Sequence, residues 1–186
     1  MMRLPLIAAN AAILSVFLLA NTHASASAHF QSPELSGNGC TADSADYVIA
    51  PDQQTLTIQF HDYSTASGSK HCNMSIPVSI PAGLQVSQLT TDYQVFVKGQ
   101  GSLTRSYHFA GQTGPNISDD FNNAEGESYK QRDNLIAMSN IASQCGQNIT
   151  IHISSQIRAK NSNSNITFGT SGTPQGITLY LQARSC

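Results

Sequence analysis

The feature that most constrains the fold is a period-two alternation of apolar and polar residues between Thr55 and Lys98. Successive side chains of a β-strand point to opposite faces, so residues two positions apart line the same face. Only turn residues separate the runs, and the segment is therefore predicted to be a β-meander, in which consecutive strands pair. Three runs carry apolar residues on one face: Leu56, Ile58 and Phe60; Ile76, Val78 and Ile80; Tyr93, Val95 and Val97.

Further alternating runs follow this segment, the clearest of them at Ile149, Ile151, Ile153 and Ile157. Arg105 falls on the apolar face of the run that contains Tyr107. Its aliphatic stem is therefore expected to pack inward, while its guanidinium reaches a carboxylate at the rim of the core. About nine short strands without an amphipathic helix predict an all-β protein, an antiparallel two-sheet sandwich or jelly roll.

The segments between these runs contain turn residues and have no periodic apolar pattern, which predicts turns and loops. Gly99 and Gly101 should form a turn, and Gly111 to Gln131 should be a long surface loop. Leu135 to Met138 is predicted to return to a strand.

The first 26 residues have the pattern of a secretory signal peptide. Arg3 precedes an apolar run from Leu4 to Ala20, and small residues follow, with cleavage expected after Ala26 and Ala24 or Ala28 as alternatives. The predicted organisation is a signal peptide at 1–26, a polar arm at 27–44 held mainly by its disulfide, and one β-sandwich domain at 45–186. No later run is long enough to span a membrane, so the mature chain is predicted to be secreted without a membrane span.

The charge of the chain excludes several classes of partner. Charged residues make up 11% of the chain, with 9 Lys and Arg against 11 Asp and Glu. Ser, Thr, Asn and Gln replace the missing charges, and Lys and Arg do not cluster. Nucleic acid and anionic membranes are therefore excluded as partners.

Four cysteines, none of them in a CxxC pair, predict two disulfides in an oxidising compartment. Strand order selects among the three possible pairings. In a meander, the start of the first strand lies beside the start of the third, which brings Cys40 to Cys72. Cys145 precedes one strand and Cys186 ends a later one, so they meet if those two strands pair. The prediction is Cys40–Cys72 and Cys145–Cys186.

Two histidines are the strongest candidates for catalysis. His61, followed by Asp62, ends one strand, and His71 lies beside Cys72 near the start of the next. They could converge as an acid–base or metal pair. The sequence has no GxSxG and no HExxH motif. The enzyme hypothesis is therefore limited to a small extracellular hydrolase at His61 and His71.

The segment SDDFNNAEGE gathers the strongest candidate ligand-binding residues. Its oxygen-rich side chains are of the type that Ca²⁺ prefers, although their spacing does not match an EF-hand, and no other cofactor is predicted. Loops on a rigid sandwich often carry binding. The predicted contact residues are Asp119, Asp120, Phe121 and Glu125, with a polysaccharide as a possible ligand.

Four sequons are present, headed by Asn73, Asn116, Asn148 and Asn165. Asn116 and Asn165 are predicted to lie on loops and are the expected glycosylation sites if the chain passes through a eukaryotic secretory route. Asn73 and Asn148 closely follow a cysteine at a strand start, where access is poorer.

The order of motifs and cysteines resembles the secreted proteins grouped as domain of unknown function 4360. The resemblance runs from about Gly37 to Cys186 and rests on GNGC, TLTIQFHDY, PAG, TTDYQ, SYHFAG, QCG, QIRAK and the terminal cysteine. Thr41, Ala142 and Gln182 depart from the proline and aromatic residues common in that family. The resemblance implies secretion, β-structure and paired cysteines, and it supplies no catalytic residue. The resulting prediction is a non-catalytic extracellular binding module, with the hydrolase as the alternative.

Overall fold

The computed structural model describes residues 27–41, 43–139, 142–169 and 176–186. The predicted signal peptide therefore lies outside the described residues and stays a prediction. Apart from one short helix, the described elements are strands, and all their pairings are antiparallel. The prediction of an all-β antiparallel fold is confirmed. No helix in the described part of the chain is long and apolar enough to cross a membrane.

The described residues form eleven strands and one helix. In chain order they are β1 His29–Phe30, β2 Glu34–Ser36, β3 Ala45–Ile49, β4 Thr55–Phe60, β5 Ser64–Thr65, β6 Gly68–Ser79, β7 Leu84–Phe109, β8 Gln112–Asn134, α1 Leu135–Ser139, β9 Ile149–Ala159, β10 Asn165–Phe168 and β11 Ile177–Ser185.

The strands pair in the order β1-β6-β9-β7-β11-β4-β3, with β2 on β6, β8 on β7, and β10 joining β7 and β5. Consecutive strands β4, β6 and β7 are not neighbours in this order. The predicted meander is therefore wrong, although its strands exist. The alternation reports which face of each strand is buried and carries no information about which strand lies beside it.

The long strand β7 belongs to both layers of the sandwich. Its first part pairs with β11, and its last part, from Gly101 to His108, pairs with β9. The hydroxyl oxygens of Tyr93 and Tyr107 are 2.6 Å apart, although 14 positions separate them. In a straight strand they would be about 46 Å apart. The strand therefore folds over, and its two parts face each other across the core.

Gly99 lies where β7 bends. The predicted turn at Gly99 and Gly101 is therefore a bend within one long strand and not a turn between two strands. Gly99 has φ 75°, a conformation that residues with a side chain rarely adopt. A Cβ there would also lie 2.9 Å from the Cα of Ser164. The pairing with β8 shifts register at this point.

Both predicted disulfides are confirmed, with Cα separations of 5.4 Å for Cys40–Cys72 and 6.0 Å for Cys145–Cys186. Their structural causes differ from the predicted ones. Cys40 meets Cys72 because β2, just before it, pairs with β6 at Asn73 to Ser75. Each bridge is worth about 4 kcal/mol by the chain-entropy estimate.

The second disulfide closes over the turn that begins β7. The N–H of Gly146 donates to the carbonyl of Leu84, and the N–H of Cys186 donates to the carbonyl of Gly83. Strand β7 lies between β9 and β11, so the predicted pairing of those two strands is wrong. The cysteines meet because both chain segments bind this one turn.

The polar arm at 27–44 is anchored by more than its disulfide. Strands β1 and β2 pair with β6, and Phe30 is buried. The apolar residues of the arm therefore extend the core.

Two local predictions after β7 are wrong. The segment Gly111 to Gln131 is a strand rather than a loop, because nearly all of it lies in β8 and pairs with β7. Residues Leu135 to Met138 lie in α1 and not in a strand.

Candidate functional site

The outer face of one layer carries two rows of polar side chains, each crossing five strands in the order β2, β6, β9, β7 and β8. Directly paired residues of antiparallel strands point to the same face, so the register fixes each row. Four strand spacings make a row about 19 Å long. We call these ten residues the polar face: Glu34, Ser75, His152, His108 and Thr113 in one row, and Ser36, Asn73, Ser154, Ser106 and Asn116 in the other.

Core residues of the same strands support the polar face from below. Met74, Ile153 and Tyr107 alternate with the polar positions and are at most 2% exposed. The alternation that builds the core therefore also fixes the polar side chains toward solvent.

A groove of about 620 Å³ follows the polar face and is lined by nine of its ten residues. Glu34 is the one Asp, Glu, Lys or Arg residue among the described residues that line it. Within the described ranges, none of the ten side chains makes a hydrogen bond to another protein group. The hydroxyl, amide and imidazole groups of this face are thus available to a ligand.

The inner side of β7 and β8 holds a buried ionic network. Arg105 is 1% exposed and donates to both carboxylate oxygens of Asp133, at 2.7 and 3.1 Å, and to Asp119 at 2.6 Å. Tyr107 donates to Asp133 at 2.5 Å, and the Arg105 guanidinium lies 5.0 Å from the ring centre of Tyr93. The predicted inward arginine with a rim carboxylate is confirmed, with Asp119 as that carboxylate and Asp133 as a second, buried one.

Electrostatics hold this network in one protonation state. Burial by itself would lower the pKa of Arg105, but its hydrogen bonds with Asp133 and Asp119 outweigh burial and raise that pKa. Burial raises the pKa of Tyr107, and the neighbouring Tyr93 and Asp133 raise it further. The arginine stays charged and the tyrosine stays neutral. These groups satisfy one another, so the network stabilises the core.

The outer face of the other layer has a smaller groove of about 380 Å³. Its charged groups are already paired, since Arg132 donates twice to the nearly buried Asp92, at 2.5 and 2.6 Å, and Lys130 lies 3.3 Å from it. The hydrogen bonds from Arg132 hold the pKa of Asp92 below its ordinary value, against the opposing effect of burial. This face offers fewer unpaired groups than the polar face.

The four predicted contact residues lie on β8 but do not share one surface. Asp119 and Phe121 face the core side, and Phe121 packs against Tyr129 with ring centres 4.7 Å apart. Asp120 is exposed and pairs with Lys160 at 2.7 Å, on the same side of the sheet as the polar face. Glu125 is exposed, in the excursion at 124–126 where β8 leaves its register with β7. Their role in binding stays a prediction.

His61 and His71 have separate surroundings. The His61 ring lies 2.8 Å from the carboxylate of Asp46, whereas the backbone N–H of His71 donates to the side-chain oxygen of Asn38. No hydrogen bond joins the two histidines in the part of the chain that the structure describes. No group of three or more His, Cys, Asp or Glu side chains is placed to hold a metal ion within the same ranges.

The predicted glycosylation sites lie on strands rather than loops. Asn116 is exposed on β8 and Asn165 is half-buried on β10. Of the other two sequons, Asn148 accepts a hydrogen bond from the N–H of Ile80. Use of these sequons stays a prediction.

His108 and His152 occupy polar positions of their alternating runs in the sequence, a pattern that predicts exposed histidines on two strands. The pattern does not predict that they are neighbours, because neighbours across a sheet depend on strand order. The signal in the sequence is the run of polar residues at alternate positions of β6, β7 and β9.

The fold defines the chain as a disulfide-bonded β-sandwich protein with one extended polar face. It belongs to the family described as Domain of unknown function (DUF4360), whose model matches residues 26–186. The resemblance inferred from the order of its motifs and cysteines is thus confirmed.

The chain is similar to an uncharacterized secreted protein of Arthroderma benhamiae, with 28% identity over 143 residues. The alignment covers 70% of this chain and 58% of that protein, so the chain spans less than two thirds of the relative's length. The predicted extracellular location is confirmed by this secreted relative and by the two disulfides.

Several solved structures align remotely with the fold. A carbohydrate-binding module in complex with β-1,4-galactotriose has 13% identity and a TM-score of 0.32, covering 84% of this chain and 90% of that one. Latent PorU from Porphyromonas gingivalis has 9% identity and a TM-score of 0.37, covering 89% of this chain and 14% of that one. At these TM-scores the alignments establish neither a shared ligand nor a shared activity.

Proposed function

We propose that this protein is a non-catalytic extracellular binding module whose polar face binds a neutral polysaccharide. The observation that carries the proposal is the pair of five-strand rows, whose ten polar side chains make no hydrogen bonds within the described protein. A ligand with many hydroxyl groups can both donate to and accept from such groups.

The shape and charge of the polar face favour this ligand class. A groove that crosses five strands suits an extended chain better than a compact molecule. The scarcity of charged side chains gives no means of attracting a polyanion. Backbone pairing on both sides of β6, β7 and β9 keeps the groups in fixed positions, which lowers the entropic cost of binding.

Asp120 extends the proposed surface, and Glu125 is the other predicted contact residue of β8 that is exposed. Asp120 lies on the same side of the sheet, beyond Asn116 along β8, and its carboxylate is exposed. Asp119 and Phe121 support β8 from the inner side. Substituting Asp120 and Glu125 together therefore tests the predicted β8 contact without disturbing the core.

The binding prediction is tested by placing a bulky charge in the middle of the polar face. Ser154→Arg should weaken binding to a retained polysaccharide at least tenfold, because the side chain fills the groove. Gln182→Arg is the matched control, since Gln182 is also exposed on a strand, β11, in the other layer. Binding is measured by affinity electrophoresis through gels that contain each polysaccharide of a neutral panel.

Equal retardation of Ser154→Arg and wild type would reject the polar face as the binding surface. If the wild type instead hydrolyses a polysaccharide and His61→Ala or His71→Ala abolishes the hydrolysis, the enzyme alternative replaces the binding module. If an Asp120→Ala, Glu125→Ala double variant is retarded as strongly as the wild type, these two residues are not part of the binding surface. That result would not reject the polar face itself.

A further inference from the structure

Two histidines of the polar face are direct neighbours across strands. His108 on β7 pairs with His152 on β9 in the sheet register, and both side chains are exposed on the groove. Their ring centres are 5.9 Å apart, with 45° between the ring planes. Neither imidazole makes a hydrogen bond within the described part of the protein.

This spacing fits two imidazoles that share one metal ion. With metal–nitrogen bonds of about 2.0–2.1 Å, the ring centres lie about 4.5 to 6.4 Å apart as the N–metal–N angle opens from about 90° to 180°. The observed 5.9 Å falls inside that range. Directly opposed residues of antiparallel strands have Cβ atoms about 4.5–5.5 Å apart, so small side-chain rotations bring both nitrogens to one ion.

The surroundings favour a cation at this position. Glu34 lies in the same row, and neither Lys nor Arg is among the described residues lining the groove. Imidazole is a ligand for Zn²⁺, Cu²⁺ and Ni²⁺, whereas Ca²⁺ prefers oxygen ligands. The site therefore differs in chemistry from the Ca²⁺ site considered at SDDFNNAEGE.

We propose that His108 and His152 together bind one divalent transition-metal ion, such as Zn²⁺, through one nitrogen of each ring. Two protein ligands leave coordination positions open toward the groove, where water or a ligand oxygen can bind. This site stands on the histidine geometry and is independent of the proposed polysaccharide binding.

The test is titration of the full secreted chain with Zn²⁺ alone, by calorimetry and by NMR of the histidine rings. We expect one site, with the His108 and His152 resonances shifting together as Zn²⁺ is added. His108→Ala and His152→Ala should each weaken binding at least tenfold, because a single imidazole remains. The melting temperature of the metal-free variants shows that they are folded.

His71→Ala and His29→Ala are the matched controls. His71 is exposed on the same side of the sheet, but its register partner Gln156 is four positions from His152, which corresponds to about 13 Å along the strand. Both controls should bind Zn²⁺ as the wild type does. The proposal is overturned if neither His108 nor His152 shifts at saturating Zn²⁺, or if their variants bind as tightly as the controls.

Discussion

Asp133→Ala is expected to destabilise the protein by about 3 to 5 kcal/mol, the cost of leaving a buried charge without its partner. Asp133 is 2% exposed and accepts two hydrogen bonds from Arg105 and one from Tyr107. Its removal leaves the guanidinium with Asp119 alone. Urea denaturation at neutral pH measures the loss.

Asp120→Ala is the control for this substitution, because Asp120 is also an aspartate of β8 that pairs with one cation. Its carboxylate is 71% exposed, so the Lys160 pair should contribute less than about 1 kcal/mol. A double-mutant cycle with Arg105→Met separates the ion pair from packing, and the double variant should lose less stability than the sum of the singles. Equal losses for Asp133→Ala and Asp120→Ala would show that the buried network contributes little.

The same network explains why β8 could not be predicted from the sequence. Its inward positions include Ile117, Phe121 and Tyr129, which share one parity, but Asp119 and Asp133 occupy inward positions between and after them. A period-two pattern of apolar residues appears in the sequence only where the buried side chains are themselves apolar. Here Arg105 on β7 makes inward carboxylates favourable, and that pairing depends on contacts distant in sequence.

Strand existence and buried faces were predictable because they depend on local alternation. The predicted run of Leu56, Ile58 and Phe60 lies in β4 with all three residues buried, and the four isoleucines of β9 are buried as predicted. Strand order was not predictable, because β9 and β11 insert beside β7 from the far end of the chain. The two disulfide pairings were predicted correctly although the strand order was not. The cysteines lie near strand ends, and the same ends meet in the predicted and in the observed strand order.

The candidate site was only partly predictable for the same reason. The alternation of apolar and polar positions identified the outward residues of β6, β7 and β9, including His108 and His152. The rows exist only through the register of five strands, of which β2 and β8 were predicted to be an arm and a loop. The predicted binding site was therefore one acidic segment of β8 and not a surface formed by five strands.

Raising the pH above about 10 is expected to unfold the protein through its buried tyrosines. Tyr63, Tyr93 and Tyr107 are at most 2% exposed. Burial raises the pKa of Tyr63 and outweighs the hydrogen bonds that oppose it. Burial likewise raises the pKa of Tyr93, and Asp133 adds to this shift. With the similar shift of Tyr107, three tyrosines are harder to ionise in the folded state than in the unfolded chain.

Because the folded-state pKa values are raised, the stabilising contribution is complete below the unfolded value of about 10 and is lost as the pH rises above it. Each group contributes a slope of about 1.4 kcal/mol per pH unit, so three give about 4 kcal/mol per unit. The six tyrosines and the absence of Trp make tyrosinate absorbance a direct readout. Tyr63, Tyr93 and Tyr107 should ionise only as the chain unfolds.

Variants distinguish this cause from a general alkaline effect. Tyr63→Phe should reduce the dependence of the unfolding free energy on pH by about 1.4 kcal/mol per unit, because one linked proton is removed. Tyr47→Phe, at a side chain 42% exposed on β3, should leave the slope unchanged. The slope is the informative quantity, since Tyr63→Phe also loses the 2.7 Å hydrogen bond to the Ser155 carbonyl and is less stable at every pH. If both variants kept the wild-type slope, burial of Tyr63 would not be the source of the alkaline instability.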